Sequence, residues 1–292
     1  MLDNRALKKH LPGVAAAAVL VFALCETVQA LLAPSRAPTQ SNWIEAAAAV
    51  RLQWKPGDLA VAAPAWADPV LRLHLGDLVD VGMALRMDDA RYGRVWELSQ
   101  KGGVSPEAHG QETFRKVFGN LTVRRVERPA VQVKFDFLQQ WQSARVSRQS
   151  AAGVTACALL ADRFQCPDID FNWLKPAVLE FDFGLRLALY AQPVAGAAVV
   201  VEYDDVPIGR TLTVGAGLHH VWLRKAGDGK VAMEVFVGGQ KVGRLEVNNR
   251  SPWKPVNLDT TAFAGQRQVV RFAITSDNPA SRHFGFAAEA RQ

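Results

Sequence analysis

Cysteine is scarce, with three residues in 292. Cys157 and Cys166 have no further Cys or His nearby to complete a zinc pattern. The six histidines are dispersed along the chain, so no metal-hydrolase cluster can be read. No G-x-G-x-x-G follows an apolar run and no G-x-x-x-x-G-K-[ST] occurs, which removes the usual phosphate cradles. A nucleophile elbow, G-x-S-x-G, is also missing. The net charge of +6 is spread along the chain without a Lys/Arg cluster. Nucleic-acid binding normally needs a concentrated basic footprint, so it is not expected. No cofactor and no metal is implied.

What is present begins at the N-terminus. Arg5, Lys8 and Lys9 precede "GVAAAAVLVFALC", Gly13 to Cys25. A basic start before such a segment is an export signal. Two outcomes stay open. "VQA", ending at Ala30, fits a small-residue cleavage site and would release the protein. Alternatively Val14 to Ala33 is one membrane helix, about the 20 residues a bilayer core requires, with the basic end cytoplasmic. The uncleaved anchor is the favoured reading. It places a single-pass protein in a bacterial inner membrane with its C-terminal domains in the periplasm. Residues 1–33 are then anchor or signal, and 34–42, "PSRAPTQSN", a linker. Cys157 and Cys166 agree with export, either as a disulfide or as two buried thiols.

Residues 43–130 read as a small parallel α/β domain. Asn42 caps a helix through "WIEAAAAVRLQW", and Pro56-Gly57-Asp58 stops it. "LAVAAP" is a short buried strand. Asp68 at N-cap and Pro69 at N1 start a helix that Gly76 ends. "RVWELS" is a second strand, "SPEAHGQETFRKVFG" a third helix and "LTVRRVE" a third strand. Alternating helices and strands imply a parallel sheet. Ligands of such sheets lie at the carboxyl ends of the strands, which singles out Trp66 and His74 just after "LAVAAP".

The runs "W-x-E-A-A", "K-P-G-D-L-A-V-A-A-P", "R-V-W-E-L" and "F-G-N-L-T-V-R-R-V" carry a resemblance over residues 41–135. They resemble the soluble C-terminal domain of bacterial dolichyl-phosphate-mannose–protein mannosyltransferase-like membrane glycosyltransferases. Those enzymes have many membrane helices and catalytic acids in a loop between the first ones. This chain has no such loop, so no catalytic residue carries over. The resemblance implies an envelope-facing module tied to glycan or lipid-linked sugar metabolism, with a membrane glycosyltransferase as partner.

From Val131 to Gln292 the texture becomes all-β. "VQVKFDF" and "VLEFDFGLRLALYA" alternate, and further short runs follow between Gly- and Asp-rich turns. Many short strands at regular spacing indicate a jelly-roll-like β-sandwich. It loosely resembles carbohydrate-binding jelly rolls of exported bacterial proteins, notably in "W-x-x-V-x-L-D-T-T-A-F-A-G-x-R-x-V-x-F", Trp253 to Phe272. Aromatic rings offer the apolar faces on which sugar rings stack. Trp222 and Trp253 are the leading ligand candidates there, with Trp173 and Tyr203 behind them. His219 and His220 point to opposite faces of one strand and read as structural.

Sugar hydrolysis needs two carboxylates across a cleft. Asp68 with Asp77 reads as cap and turn, and Glu180 with Asp182 as a solvated strand face. No residue finds a second catalytic partner at a defined spacing. The sequence therefore points to a non-catalytic carbohydrate-binding or glycosyltransferase-associated module. An enzyme acting on envelope glycans and a structural interaction protein are the alternatives.

Overall fold

The computed structural model describes residues 4–32, 37–167, 172–220 and 229–292. The chain divides into two units. One joins Met1–Leu78 to Arg94–Arg128; the other joins Val79–Gly93 to Pro129–Gln292. A contiguous domain over 43–130 had no way to express this exchange. Val79–Gly93 belongs with Pro129–Gln292, not with the residues on either side of it.

The first unit contains helices α1 (Asn4–Leu32), α2 (Gln40–Gln53) and α3 (Asp68–Leu75) and strands β1 (Asp58–Ala63), β2 (Arg94–Gln100), β3 (Gln111–Phe118) and β4 (Leu121–Glu127). The expected membrane span lies in α1 as far as Leu32, and Ala33 is outside the described residues. Val19, Leu20, Phe22 and Leu24 of α1 are exposed. Among the described residues no helix is long and apolar enough to cross a membrane. Glu26 and Gln29 interrupt the apolar side chains toward its end.

The sheet runs β1-β2-β4-β3. Only β1 and β2 are parallel; β4 is antiparallel to both β2 and β3. The layer is therefore mixed, not parallel. The reason is "QETFRKVF", which the sequence reading assigned to a helix and which is strand β3. Gly119 at φ 57° turns the chain straight back into β4. That hairpin conformation favours glycine, and the pairing it allows overrides the helical periodicity. Two helix starts also shift. Thr39, not Asn42, is the N-cap of α2; Asn42 sits three residues in, and its side chain returns the bond in a capping box. Ala67 precedes α3, so Asp68 is inside the first turn, where its carboxylate accepts from Arg72 Nε. A negative charge there suits the helix dipole.

Helices α2 and α3 bury Trp43, Ala46, Val50, Leu71 and Leu75. Buried acids tie the sheet. Asp58 accepts from the Trp96 indole at 2.8 Å and lies 3.4 Å from Arg94. Glu97, 1% exposed, holds Arg124 and the main-chain N–H of Ser105. Buried carboxylates persist when fully paired in this way.

The second unit is the sandwich. Its strands are β5 (Val133–Asp136), β6 (Arg145–Ser150), β7 (Gly153–Ala156), β8 (Ala158–Leu159), β9 (Phe164–Gln165), β10 (Trp173–Phe181), β11 (Gly184–Ala191), β12 (Ala197–Pro207), β13 (Thr211–Leu218), β14 (Val231–Val237), β15 (Gln240–Val247), β16 (Val256–Asp259), β17 (Arg267–Ser276) and β18 (Phe284–Arg291). A short helix, α4 (Val81–Ala84), belongs to it through the Val79–Gly93 segment. One sheet runs β16-β13-β18-β11-β10-β9-β8, with β5 also on β18; the other runs β15-β14-β17-β12-β6-β7.

Alternating residues of both sheets meet in one core around Phe137, Val201, Tyr203, Val214, Phe272 and Phe286. The Tyr203 hydroxyl donates to Phe137 O at 2.9 Å inside this core, and burial holds the phenol far above its ordinary pKa. Tight hairpins fit their residues. Gly238 and Gly239 both have positive φ between β14 and β15, and Asp182 and Phe183 do the same between β10 and β11. Two consecutive positive-φ residues match the twist of the flanking strands. Cys157 and Cys166 are joined in a disulfide beside β8 and β9.

Candidate functional site

Strand β18 is paired with β13 along its whole length. Its other side is shared. β11 pairs it only at Phe286 and Gly285, and β5 only from Glu289 to Arg291. The strand pairing lapses between these two stretches, at Ala287 and Ala288, where only Phe137 N–H reaches across to Ala288 O at 3.1 Å. The released stretch of β11 finds another partner: Leu187 N–H donates to Leu85 O at 2.9 Å. The chain from Leu85 to Tyr92 thus forms one wall over the gap. The turn after β5, Asp136 to Trp141, forms the other. Between them lies a cavity of about 280 Å³. Small side chains at Ala287 and Ala288 leave it its floor.

A charge network lines this cavity. Arg91 Nη2 donates to Asp136 Oδ2 at 2.8 Å and to Glu289 Oε1. Glu289 Oε2 accepts from Arg291 Nε at 2.8 Å. Arg291 then grips Asp88 with both terminal nitrogens at 2.9 and 2.8 Å. Asp136 Oδ1 accepts the main-chain N–H groups of Leu138 and Gln139, fixing the β5 turn. Glu289 and Arg291 are the deepest members, with side chains 7% and 5% exposed. Burial opposes the charge on Arg91, but Glu289 and Asp136 outweigh it and raise its pKa. Burial likewise opposes the charge on Arg291, and the bonds to Asp88 and Glu289 win. Both guanidiniums therefore stay charged.

Each carboxylate of the network is also engaged through both of its oxygens. Every carboxylate oxygen of Asp88, Asp136 and Glu289 already receives a guanidinium or a main-chain N–H. Arg91 spends only Nη2 on its two acids; among the described residues its Nε and Nη1 have no partner. The half-buried Trp141 indole also lines the cavity, packed edge-on to Phe164 at 5.9 Å. Buried Tyr92 lines it too, its phenol pKa raised by burial above all. The cavity thus offers fixed N–H donors beside aromatic surface.

The residues singled out from the sequence lie elsewhere. Trp66, 63% exposed, follows β1 with Lys101 Nζ 5.8 Å from its ring centroid. His74 stacks on Trp43 at 6.1 Å within 8° of parallel. Its carbonyl accepts from Arg51, which also pairs with Asp77. Trp253 stacks on Phe181 at 4.7 Å, lies over Gly215 and donates its indole N–H to Met87 O at 3.1 Å. Gly215 is required there, since a Cβ would stand 2.5 Å from the indole. Trp173 stacks on Tyr190 at 4.2 Å. Trp222 lies outside the described residues. His74 is thus held by Trp43, and Trp253 by Phe181 and Met87. Among the described residues no group of His, Cys, Asp and Glu is placed to hold a metal ion.

Sequence reading missed Arg91, Asp136, Trp141 and Glu289. One signal was present. "FGFAAEAR" puts Glu289 and Arg291 on the same face of an otherwise apolar strand, and a charge in such a run needs a partner.

The geometry defines a class first: a β-sandwich with a small ligand-sized cavity where one sheet parts. No protein-family model matches the chain, so none supports the resemblance of residues 41–135 to membrane glycosyltransferases. No curated protein matches it either. Solved structures give weak likenesses. CBM51 of Clostridium perfringens GH95, in complex with methyl-galactose, is 16% identical, covers 39% of this chain and 80% of its own, and has a TM-score of 0.28. The CBM51-2 (in complex with GlcNAc) and INT domains of Clostridium perfringens ZmpB are 12% identical over 68% of this chain and 40% of their own, at 0.32. The CBM22-1–GH10 modules of Clostridium thermocellum xylanase 10B, complexed with xylohexaose, are 13% identical over 63% and 29%, at 0.29. At these scores the likeness carries nothing about this chain's ligand.

Proposed function

We propose that this protein is an exported, membrane-anchored envelope protein whose sandwich binds carbohydrate without transforming it. The observation that carries the reading is the Arg91 cavity: rigid N–H donors set beside the Trp141 indole, in a space of ligand size. Sugars need this combination, an apolar face for the ring and fixed polar groups for the hydroxyls. The bonding of the three acids supports binding over hydrolysis. A glycosidase acid must hold a proton and its partner carboxylate must attack or activate water. Here each carboxylate is pinned by guanidinium or main-chain N–H.

The anchor rests on the basic start and on the apolar run from Val14 to Ala33. The Cys157–Cys166 disulfide supports an oxidising compartment such as the periplasm. Association with a membrane glycosyltransferase rests on the resemblance over residues 41–135.

The test is a glycan array probed with the full chain in detergent, followed by calorimetry on the best glycan. Binding is expected, and Trp141→Ala is expected to weaken it at least tenfold, about 1.4 kcal/mol. Absence of binding to any glycan, or turnover of one, would overturn the reading.

A further inference from the structure

The charges around the cavity narrow what it can accept. Arg91 and Arg291 are paired with Asp88, Asp136 and Glu289, so two guanidiniums already serve three carboxylates. A ligand carboxylate would approach Arg91, but Arg91 already serves two acids through one nitrogen. The newcomer would be a third negative charge on that guanidinium, beside two that cannot leave. Like charges brought together in a partly buried site are disfavoured. A neutral hydroxyl does not meet that problem. Its oxygen accepts from the uncommitted Nε and Nη1 of Arg91 and brings no charge into the site.

Size narrows it further. Ligand pockets span about 300–1,000 Å³, and this one, about 280 Å³, is at or below the small end. It holds one ring, not a run of rings. Resting on the carbohydrate-binding reading above, we infer that the Arg91 cavity takes a single uncharged sugar residue and rejects acidic sugars.

Calorimetry on the full chain in detergent tests this with methyl glycosides of neutral hexoses and methyl glucuronide. A neutral glycoside is expected to bind, with the uronide at least tenfold weaker. An oligosaccharide ending in the same neutral residue should bind within about threefold of the monosaccharide, since only one ring is held. Arg91→Lys keeps the charge but loses the planar donor fork, and should weaken the neutral ligand about tenfold. Gln139→Ala, on the exposed cavity rim, leaves the buried network intact; it should weaken binding two- to fivefold and reports on the cavity even if Arg91→Lys unfolds the protein. Equal or tighter binding of the uronide, or a gain of more than tenfold with chain length, overturns the inference and leaves the carbohydrate-binding reading standing. Binding of the neutral sugar that ignores both substitutions also overturns it. If no sugar of any charge binds, the functional reading falls and takes this inference with it.

Discussion

The two units bury the same chemistry and use it differently. In the small unit Glu97 holds Arg124, and Asp58 holds the Trp96 indole beside Arg94. In the sandwich unit Glu289 and Asp136 hold Arg91, and Asp88 holds Arg291. Both sets are guanidinium–carboxylate pairs on sheet faces. Only the second has room next to it. Glu97 is sealed by its own sheet and by the Ser105 loop. Arg91 stands in a gap that two short strand pairings leave open. A buried ion pair by itself is therefore weak grounds for a site. Space beside it, with a donor left over, is the stronger sign.

That contrast can be broken or sharpened by experiment. Glu97→Ala leaves the Arg124 guanidinium without its carboxylate in a nearly closed setting. Removing one partner of such a pair costs on the order of 3–5 kcal/mol. Urea unfolding should show this loss, with glycan affinity of the remaining folded protein unchanged. Arg91→Ala should reverse the pattern. Glu289 keeps Arg291 and Asp136 keeps two N–H groups. The stability cost should thus be smaller, about 2 kcal/mol for a charged hydrogen bond, while glycan binding is lost. Equal stability losses in the two variants would erase the distinction.

The smallest effect concerns pH. His283 contacts the Tyr190 hydroxyl at 2.8 Å. Burial, and next the nearby His219, lower its pKa below the ordinary 6.5. The folded state therefore binds the proton less readily than the unfolded chain. Its contribution to stability is full above 6.5 and is lost as pH falls through the lowered folded value. His283→Gln should flatten the fall in melting temperature between pH 7 and 5, and an unchanged slope would remove His283 as its source.

Much of the fold was legible locally. "LTVRRVE" and "RQVVRFAITS" are strands β4 and β17 residue for residue, because alternation and flanking turns agree there. Strands β6 to β9 were not read. Their residues, from Arg145 to Gln165, mix charge and short apolar pieces without a clean period, and pairing with longer neighbours holds them. "QETFRKVF" failed for the related reason that a hairpin partner decides the matter. The cavity was hidden most deeply. Arg91 and Glu289 are 198 positions apart, and no local pattern links them. Conversely, Trp253 was conspicuous because it is aromatic in a turn-rich stretch, and its indole proves committed to Met87 and Phe181.

The detour of Val79–Gly93 into the sandwich also sets an order of assembly. A ribosome makes that segment long before β18, the strand it must meet. Until residue 291 emerges, Asp88 waits without its counter-ion and Arg91 has Asp136 alone, and the small unit waits for Arg94–Arg128 to close its sheet. The two units cannot mature strictly one after the other. A fragment beginning at Val131 would keep every strand of the sandwich and still lack one wall of its cavity.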